Sequence, residues 1–461
     1  MSNRTWYKAE ALATSALYVA LGSLSILALA MYKNGAAPLA DLWVGRLRVY
    51  AWAGIFGAFA AGILLFAAHQ WSKRDGKGAF WLSVALNLGV VAVCLGLTEL
   101  GLRIVTTPGP YGPRLRTTDL LPHEWQKAVK INLDLAKKSR DGHFYFVEDE
   151  TLGWTVGASR TSPDGLYKSS MEGIRSGEQG ASFASSDPSR RVAIFGNSFT
   201  FAEEVRFEDS WGHFLEQGLP AGTTVLNFGV PGYGVDQAYL RFKREAPRWN
   251  PPVSVFAFVQ DDIWRTGNVY PFVKGWLGPS KPRFILHGDN LVLLNSPTLP
   301  LNEIFARPVI FALPLLDYDN AFNPNEWAVG PLYSSFVIRL LVTLFPRWPE
   351  PEEMTRDTII ARLGSRIVEE FYATARASGT NPVIVYFPSR YDFRSTTNFA
   401  RETVLALLKE KNVPVTDLTA CLLKRVASER LFVMHGIHFS REGNAAAAAC
   451  IRTLISDKLP A

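Results

Sequence analysis

Three long apolar runs without a charged side chain fill most of the first hundred residues: Leu12–Tyr32, Val49–Ala68 and Ala79–Thr98. Each is about 20 residues, enough as helix to cross a hydrocarbon layer of ~30 Å. Soluble helices of that length almost always carry charge on a solvent face, so the runs read as three transmembrane helices within residues 1–105. Ala28-Leu29-Ala30 follows Arg4, Lys8 and an apolar stretch, as a signal-peptidase site does. Two more runs follow it, which favours a retained anchor. Gly54, Ala58 and Gly62 recur every fourth residue in the second run, a spacing that lets membrane helices approach closely. Basic residues flank both sides of the runs in nearly equal number. The densest basic cluster, Trp71–Gly78, is assigned to the cytoplasm. Three spans then put the C-terminal domain on the periplasmic or extracellular face of a cell inner membrane, with membrane lipid as a neighbour.

The rest of the chain excludes several function classes. The net charge of +6 over 461 residues is modest, and no Lys/Arg block marks a nucleic-acid arm. Of three cysteines, Cys94 lies in an apolar run, so only Cys421 and Cys450 are left to pair; there is no Cys-x-x-Cys metal spacing. Residues 106–190 read as a polar connector and N-terminal extension, with Pro108, Pro110 and Pro113 stopping the third helix.

From residue 191 to 461 the pattern changes to strands alternating with helices. Val192–Phe195, Thr223–Phe228, Val253–Val259, Val383–Phe387 and Val413–Leu418 are short apolar runs. Helical patterns lie at Glu208–Gln217, Val235–Glu245, Arg356–Ala377, Phe399–Lys411 and Arg441–Lys458. In Arg356–Ala377 the apolar face comprises Ile359, Ile360, Leu363, Ile367 and Phe371. Alternation of this kind predicts a parallel five-stranded sheet covered on both faces, an α/β fold. Residues 263–354 interrupt it. They are rich in Pro, Trp, Phe and Leu, include a predicted helix at Ser334–Leu344, and read as a lid or substrate platform. Their aromatics Trp264, Tyr270, Phe272 and Trp276 suit either stacking on sugar rings or packing a small core.

In Arg191–Phe201 (RVAIFGNSFTF) a strand meets a tight turn and then Ser198. A hydroxyl is thereby placed at the carboxyl edge of a sheet, where open α/β folds hold ligands. His438, in His435-Gly436-Ile437-His438 before the last helix, can reach over the same edge as a base. Gly196-Asn197-Ser198, Asn227–Gly234, Phe258–Asp262 and His435–Ser440 together resemble the SGNH (GDSL-type) hydrolase superfamily, in particular its membrane-anchored bacterial members. The upstream Leu152-Gly153-Trp154 and Met171-Glu172-Gly173-Ile174-Arg175 segments fit that group too. The resemblance implies a flavodoxin-like three-layer domain over roughly Thr151–Lys458. It also implies Ser198 as nucleophile, His438 as base, and an oxyanion hole from Ser198, Gly232 and a side-chain amide. Three positions depart from the pattern. Asn197 replaces an aspartate, Gln260 replaces the oxyanion asparagine, and His435 stands where the aspartate orienting the base belongs. A backbone carbonyl near position 435, or Asp261, Asp262 or Asp289, is left as a stand-in.

The expected function is a serine esterase or O-acyltransferase acting on an acylated envelope or exported polysaccharide, with acetyl the expected acyl group, alongside membrane-protein partners of a polysaccharide system. The alternatives are a non-catalytic SGNH domain that binds glycan or assists assembly, and a lipase or thioesterase. No cofactor is expected. His435-x-x-His438 supplies two imidazoles without a third ligand at zinc spacing, so no metal is expected either.

Overall fold

The computed structural model describes residues 95–140, 144–274, 278–345, 353–393 and 399–459, with Trp43–Val44, Leu47–Arg48 and residue 92 besides. The expected spans Leu12–Tyr32 and Val49–Ala68 lie outside the described residues, as does Ala79–Thr98 except for residues at its end. Among the described residues no helix is long and apolar enough to cross a membrane. The chain forms two compact units, residues 1–128 with 323–349, and residues 129–322 with 350–461.

The first unit is built around the end of the third apolar run. Residues 95–105 are helical and leave Leu97, Leu100 and Ile104 exposed. Glu99 accepts hydrogen bonds from the Ser335 hydroxyl (2.9 Å) and the Val337 amide (3.0 Å). It thus joins Ser335, the N-cap residue, at the start of the helix Phe336–Leu344, satisfying donors that a helix start leaves open.

The second unit carries the sheet. Its strands are β1 (Arg191–Phe195), β2 (Thr224–Asn227), β3 (Val253–Phe258), β4 (Asn381–Tyr386) and β5 (Val415–Asp417). All pairings are parallel, in the spatial order β2-β1-β3-β4-β5. β1 and β3 are buried along their whole length, which is why they read as unbroken apolar runs. Successive side chains go to opposite faces. Ala193, Phe195, Phe256 and Phe258 pack with α3 (Val235–Trp249), α5 (Glu353–Ala377) and α6 (Phe399–Glu410). Val192, Ile194, Val253 and Val255 pack with α2 (Trp211–Gly218), α7 (Thr419–Leu423) and α8 (Arg441–Ile455). Cys421 of α7 and Cys450 of α8 are joined by a disulfide. On α5, Ile360, Leu363, Ile367 and Phe371 are buried as expected, but Ile359 faces solvent.

The polar connector holds more order than its sequence suggests. A 16-residue helix spans Trp125–Arg140, and residues 106–120 form a small three-stranded sheet. In the excursion after β3, residues 263–322 belong to the second unit. Tyr270 and Phe272 are buried, with ring centroids 5.5 Å apart, and Phe272 meets Phe305 at 5.4 Å. Trp264 packs against the sheet's core. These aromatics build a small core rather than an open stacking platform; Trp276 lies outside the described residues.

Buried charges fasten this excursion. Asp319 accepts from the amides of Val269 (2.8 Å), Tyr270 (2.7 Å) and Ala321 (2.9 Å). Lys281 forms a fully buried ion pair with Asp236 of α3 and also donates to the Pro282 carbonyl at 2.9 Å. Removing one member of such a pair leaves the other as an unpaired buried charge. Lys281→Met should therefore lower unfolding free energy by about 3–5 kcal/mol. Lys281→Met combined with Asp236→Leu should recover most of the loss, as read by chemical unfolding of the full chain.

Candidate active site

The carboxyl edge of the sheet gathers the segments singled out in the sequence. β1 ends at Phe195, and Gly196 takes φ +156°. A Cβ there would stand 2.3 Å from the Ala257 carbonyl oxygen, so only glycine fits this turn between neighbouring strands. Ser198 is the first residue of α1 (Ser198–Phe201), a single turn capped by the Asn197 side chain, which accepts from the Phe199 amide at 2.8 Å. The turn is knit to the segment after β2. Val230 donates its amide to the Gly196 carbonyl (3.1 Å), and Asn227 Nδ2 donates to the Thr200 carbonyl (2.9 Å). Gly232 follows with φ +82°.

Gln260 opens α4 (Gln260–Arg265), so Asp261 and Asp262 sit in the first turn of a helix and not on a strand end. Asp262 is fully buried. Its carboxylate accepts from Asn197 Nδ2 (2.7 Å), the Val259 amide (3.0 Å) and Arg265 (2.6 Å). Burial raises its pKa to about 7, against the lowering effect of Arg265 and these donors. This contact accounts for Asn197. An aspartate at that position would set two carboxyls against each other, whereas the asparagine amide donates. Asp262 thus bonds the Asn197–Ser198 turn and not His438. Asp289, another suggested stand-in, is exposed in a hairpin turn.

His438 is buried beside this turn, its ring 5.1 Å from that of Phe199, the residue after Ser198. His435 is not beside it. It adopts φ +65° and is exposed, so the expected orienting position turns to solvent. Two glutamates that the sequence reading passed over flank the imidazole instead. Glu204 Oε2 lies 3.2 Å from His438 Nδ1, though Nδ1 completes no hydrogen bond in this arrangement. Glu203 Oε2 lies 3.4 Å from Nε2. Burial pushes the imidazole pKa down, and the Glu204 charge pulls it back up. Burial, then repulsion from Glu204, raises Glu203 to about 7. The available signal was a pair of acids shortly after α1.

The N-terminal extension holds this arrangement from behind. Trp154 Nε1 donates to the Pro231 carbonyl (2.9 Å), Tyr233 donates to the Trp154 carbonyl (2.5 Å), and Gln237 donates to the Leu152 carbonyl (2.7 Å). Among the described residues no cluster of three or more His, Cys, Asp or Glu side chains could hold a metal ion.

No family model matches the chain, and no curated protein matches it. Among solved structures it is similar to a lipolytic protein of the G-D-S-L family from Desulfitobacterium hafniense DCB-2, at 16% identity, with 57% of this chain and 99% of that one covered and a TM-score of 0.29. It is similar to the lipase/acylhydrolase from Enterococcus faecalis at 15% identity, covering 59% and 97%, TM-score 0.29. A catalytic mutant of an acetylxylan esterase from Geobacillus stearothermophilus is matched at 11% identity, covering 59% and 97%, TM-score 0.31. At such scores the reading of the site rests on this chain's own geometry.

Two tests follow from the Asn197–Asp262 contact. Asn197→Asp should destabilise the protein by about 1–3 kcal/mol at neutral pH, and the loss should shrink in acid, where one carboxyl keeps a proton. Asp262 also binds its proton more tightly folded than unfolded. Its contribution is therefore complete below the ordinary carboxylate pKa of 3.8 and is lost as pH rises through about 7. Asp262→Asn should flatten the fall in stability between those pH values, measured by unfolding at a series of pH.

Proposed function

We propose that this chain is a serine esterase of the SGNH type, with Ser198 as nucleophile and His438 as its general base. The observation that carries the reading is the packing of a buried histidine against the one-turn helix that Ser198 begins, at the carboxyl edge of a parallel sheet. Ser198 Oγ attacks the ester carbonyl carbon while its proton passes to His438 Nε2. The oxyanion that forms takes hydrogen bonds from the Ser198 and Gly232 amides and the Gln260 side chain. Its collapse breaks the bond to the alcohol, which leaves with the proton from Nε2. Water, or a sugar hydroxyl in an acyl transfer, then attacks the acyl-enzyme by the same path in reverse.

The substrate class is an acylated envelope or exported polysaccharide, as the resemblance to membrane-anchored SGNH proteins suggests. The three apolar runs support anchoring in a cell inner membrane. The Cys421–Cys450 disulfide supports a domain on its oxidising, periplasmic side, since such bonds persist outside the reducing cytoplasm.

A fluorophosphonate probe should label the wild-type chain on Ser198 and fail to label Ser198→Ala. Turnover of a p-nitrophenyl acetate ester should fall by about 10³-fold or more in Ser198→Ala and in His438→Ala. An unlabelled, inactive wild-type chain that still binds acetylated glycan would instead indicate a non-catalytic binding domain.

A further inference from the structure

The position where an orienting aspartate is expected holds an exposed histidine, yet the base is not left without a carboxylate. We infer that Glu204 is the positioning residue that orients His438, supplied from the nucleophile's own segment instead of from the loop that carries the base. The inference rests on the Ser198–His438 reading of the site.

Three hydrogen bonds and the local backbone hold Glu204 in that place. Its backbone is left-handed at φ +70°, as is that of Ala202 at φ +59°, which turns the chain sharply after α1. The Glu204 amide donates to the Tyr167 hydroxyl at 3.0 Å, holding this conformation. Its Oε2 accepts from the amides of Ile437 (3.2 Å) and His438 (3.1 Å), so the carboxylate grips the backbone of the histidine's loop as well as facing its ring. Gly436 leaves the necessary room, since a Cβ there would stand 2.3 Å from Glu204 Oε2.

The chemistry separates the two glutamates. A base that takes the serine proton on Nε2 must carry its own proton on Nδ1, and an anion facing Nδ1 favours that tautomer. Glu204 faces Nδ1 and is held by two amide donors. Glu203 faces Nε2, the nitrogen that the serine and the leaving group must use. The other charge felt at the ring is Arg265, which opposes protonation. Glu204, Glu203 and Arg265 are thus the charged groups that set His438.

The test is ¹⁵N NMR of the full-length chain labelled at its seven histidines, with His438→Gln used for assignment. In the wild type His438 should carry its neutral-form proton on Nδ1. In Glu204→Gln its pKa should fall and its tautomer shift toward Nε2–H. In ester turnover Glu204→Gln should lower kcat by about 10²–10⁴-fold with little change in KM. The acidic limb of its pH profile, where His438 takes up its proton, should move to lower pH, and Glu204→Asp should restore part of the loss. His435→Asp in the wild type should change kcat less than about threefold, because that side chain points to solvent. A wild-type His438 protonated on Nε2 overturns the inference, and so does a Glu204→Gln chain with unchanged tautomer and pKa. The wild-type spectrum decides the matter even if Glu204→Gln does not fold. Fluorophosphonate labelling of Ser198 tests the esterase reading separately: a labelled wild type with an unchanged Glu204→Gln spectrum removes Glu204 alone.

Discussion

The buried guanidinium of Arg175 is the constraint on which the site depends. It donates to the carbonyls of Phe201 and Ala202 (2.5 Å), where the one-turn helix α1 ends, and to that of Val205 (2.6 Å) just beyond it. A helix of four residues cannot hold itself together, because its few hydrogen bonds do not offset the cost of fixing its backbone. Arg175 satisfies the open carbonyls from outside and stacks over the rings of Tyr167 (5.0 Å) and Phe201 (4.4 Å). Full burial lowers its pKa to about 10, still far above neutrality, so the charge persists. The N-terminal extension that supplies Arg175 and Tyr167 is therefore structural support for the catalytic edge and not a mere tether.

At the other end of α1 the support is a buried carboxylate. Asp262 gathers Asn197, the Val259 amide and Arg265, and so ties the nucleophile turn to the start of α4, where Gln260 sits. Arg175 and Asp262 thus hold α1 at both termini, each matched to the groups a helix end presents: a donor for the carbonyls at the C-terminus, an acceptor for the capping residue at the N-terminus. The departure at Asn197 and the burial of Asp262 form one feature. The asparagine is the donor that a buried acceptor requires.

The sheet was legible in the sequence because its central strands are buried on both faces and read as unbroken apolar runs. The placement of Ser198 and His438 near one sheet edge was legible because turn chemistry and loop position mark them. Three things were not. The start of α4 was hidden because Gln260-Asp261-Asp262 directly follows a strand, and only the contact of Asp262 with the Val259 amide reveals the helix turn. The helix Trp125–Arg140 was hidden in a stretch read as proline-stiffened connector, although Pro108, Pro110 and Pro113, the prolines that stop the third helix, all precede it. Glu204 was hidden because its contact with His438 crosses more than two hundred residues and depends on left-handed backbone at Ala202 and Glu204, neither of them glycine. No local propensity announces such a turn; it is imposed by the Tyr167 hydroxyl and the Arg175 guanidinium.

This arrangement changes what the histidine at position 435 means. In a triad whose carboxylate sits on the base's own loop, nucleophile and base are aligned only through the packing of two separate segments. Here Ser198 and Glu204 lie on one short segment, and Glu204 bonds the backbone at Ile437 and His438 directly. The segment that carries Ser198 is thus tied directly to the loop that carries His438. Position 435 is then released from the chemistry. Its backbone is left-handed, and the Gly436 that follows lies against Glu204. A side chain free of any catalytic duty at that point is what this geometry allows, and an exposed histidine there costs the site nothing.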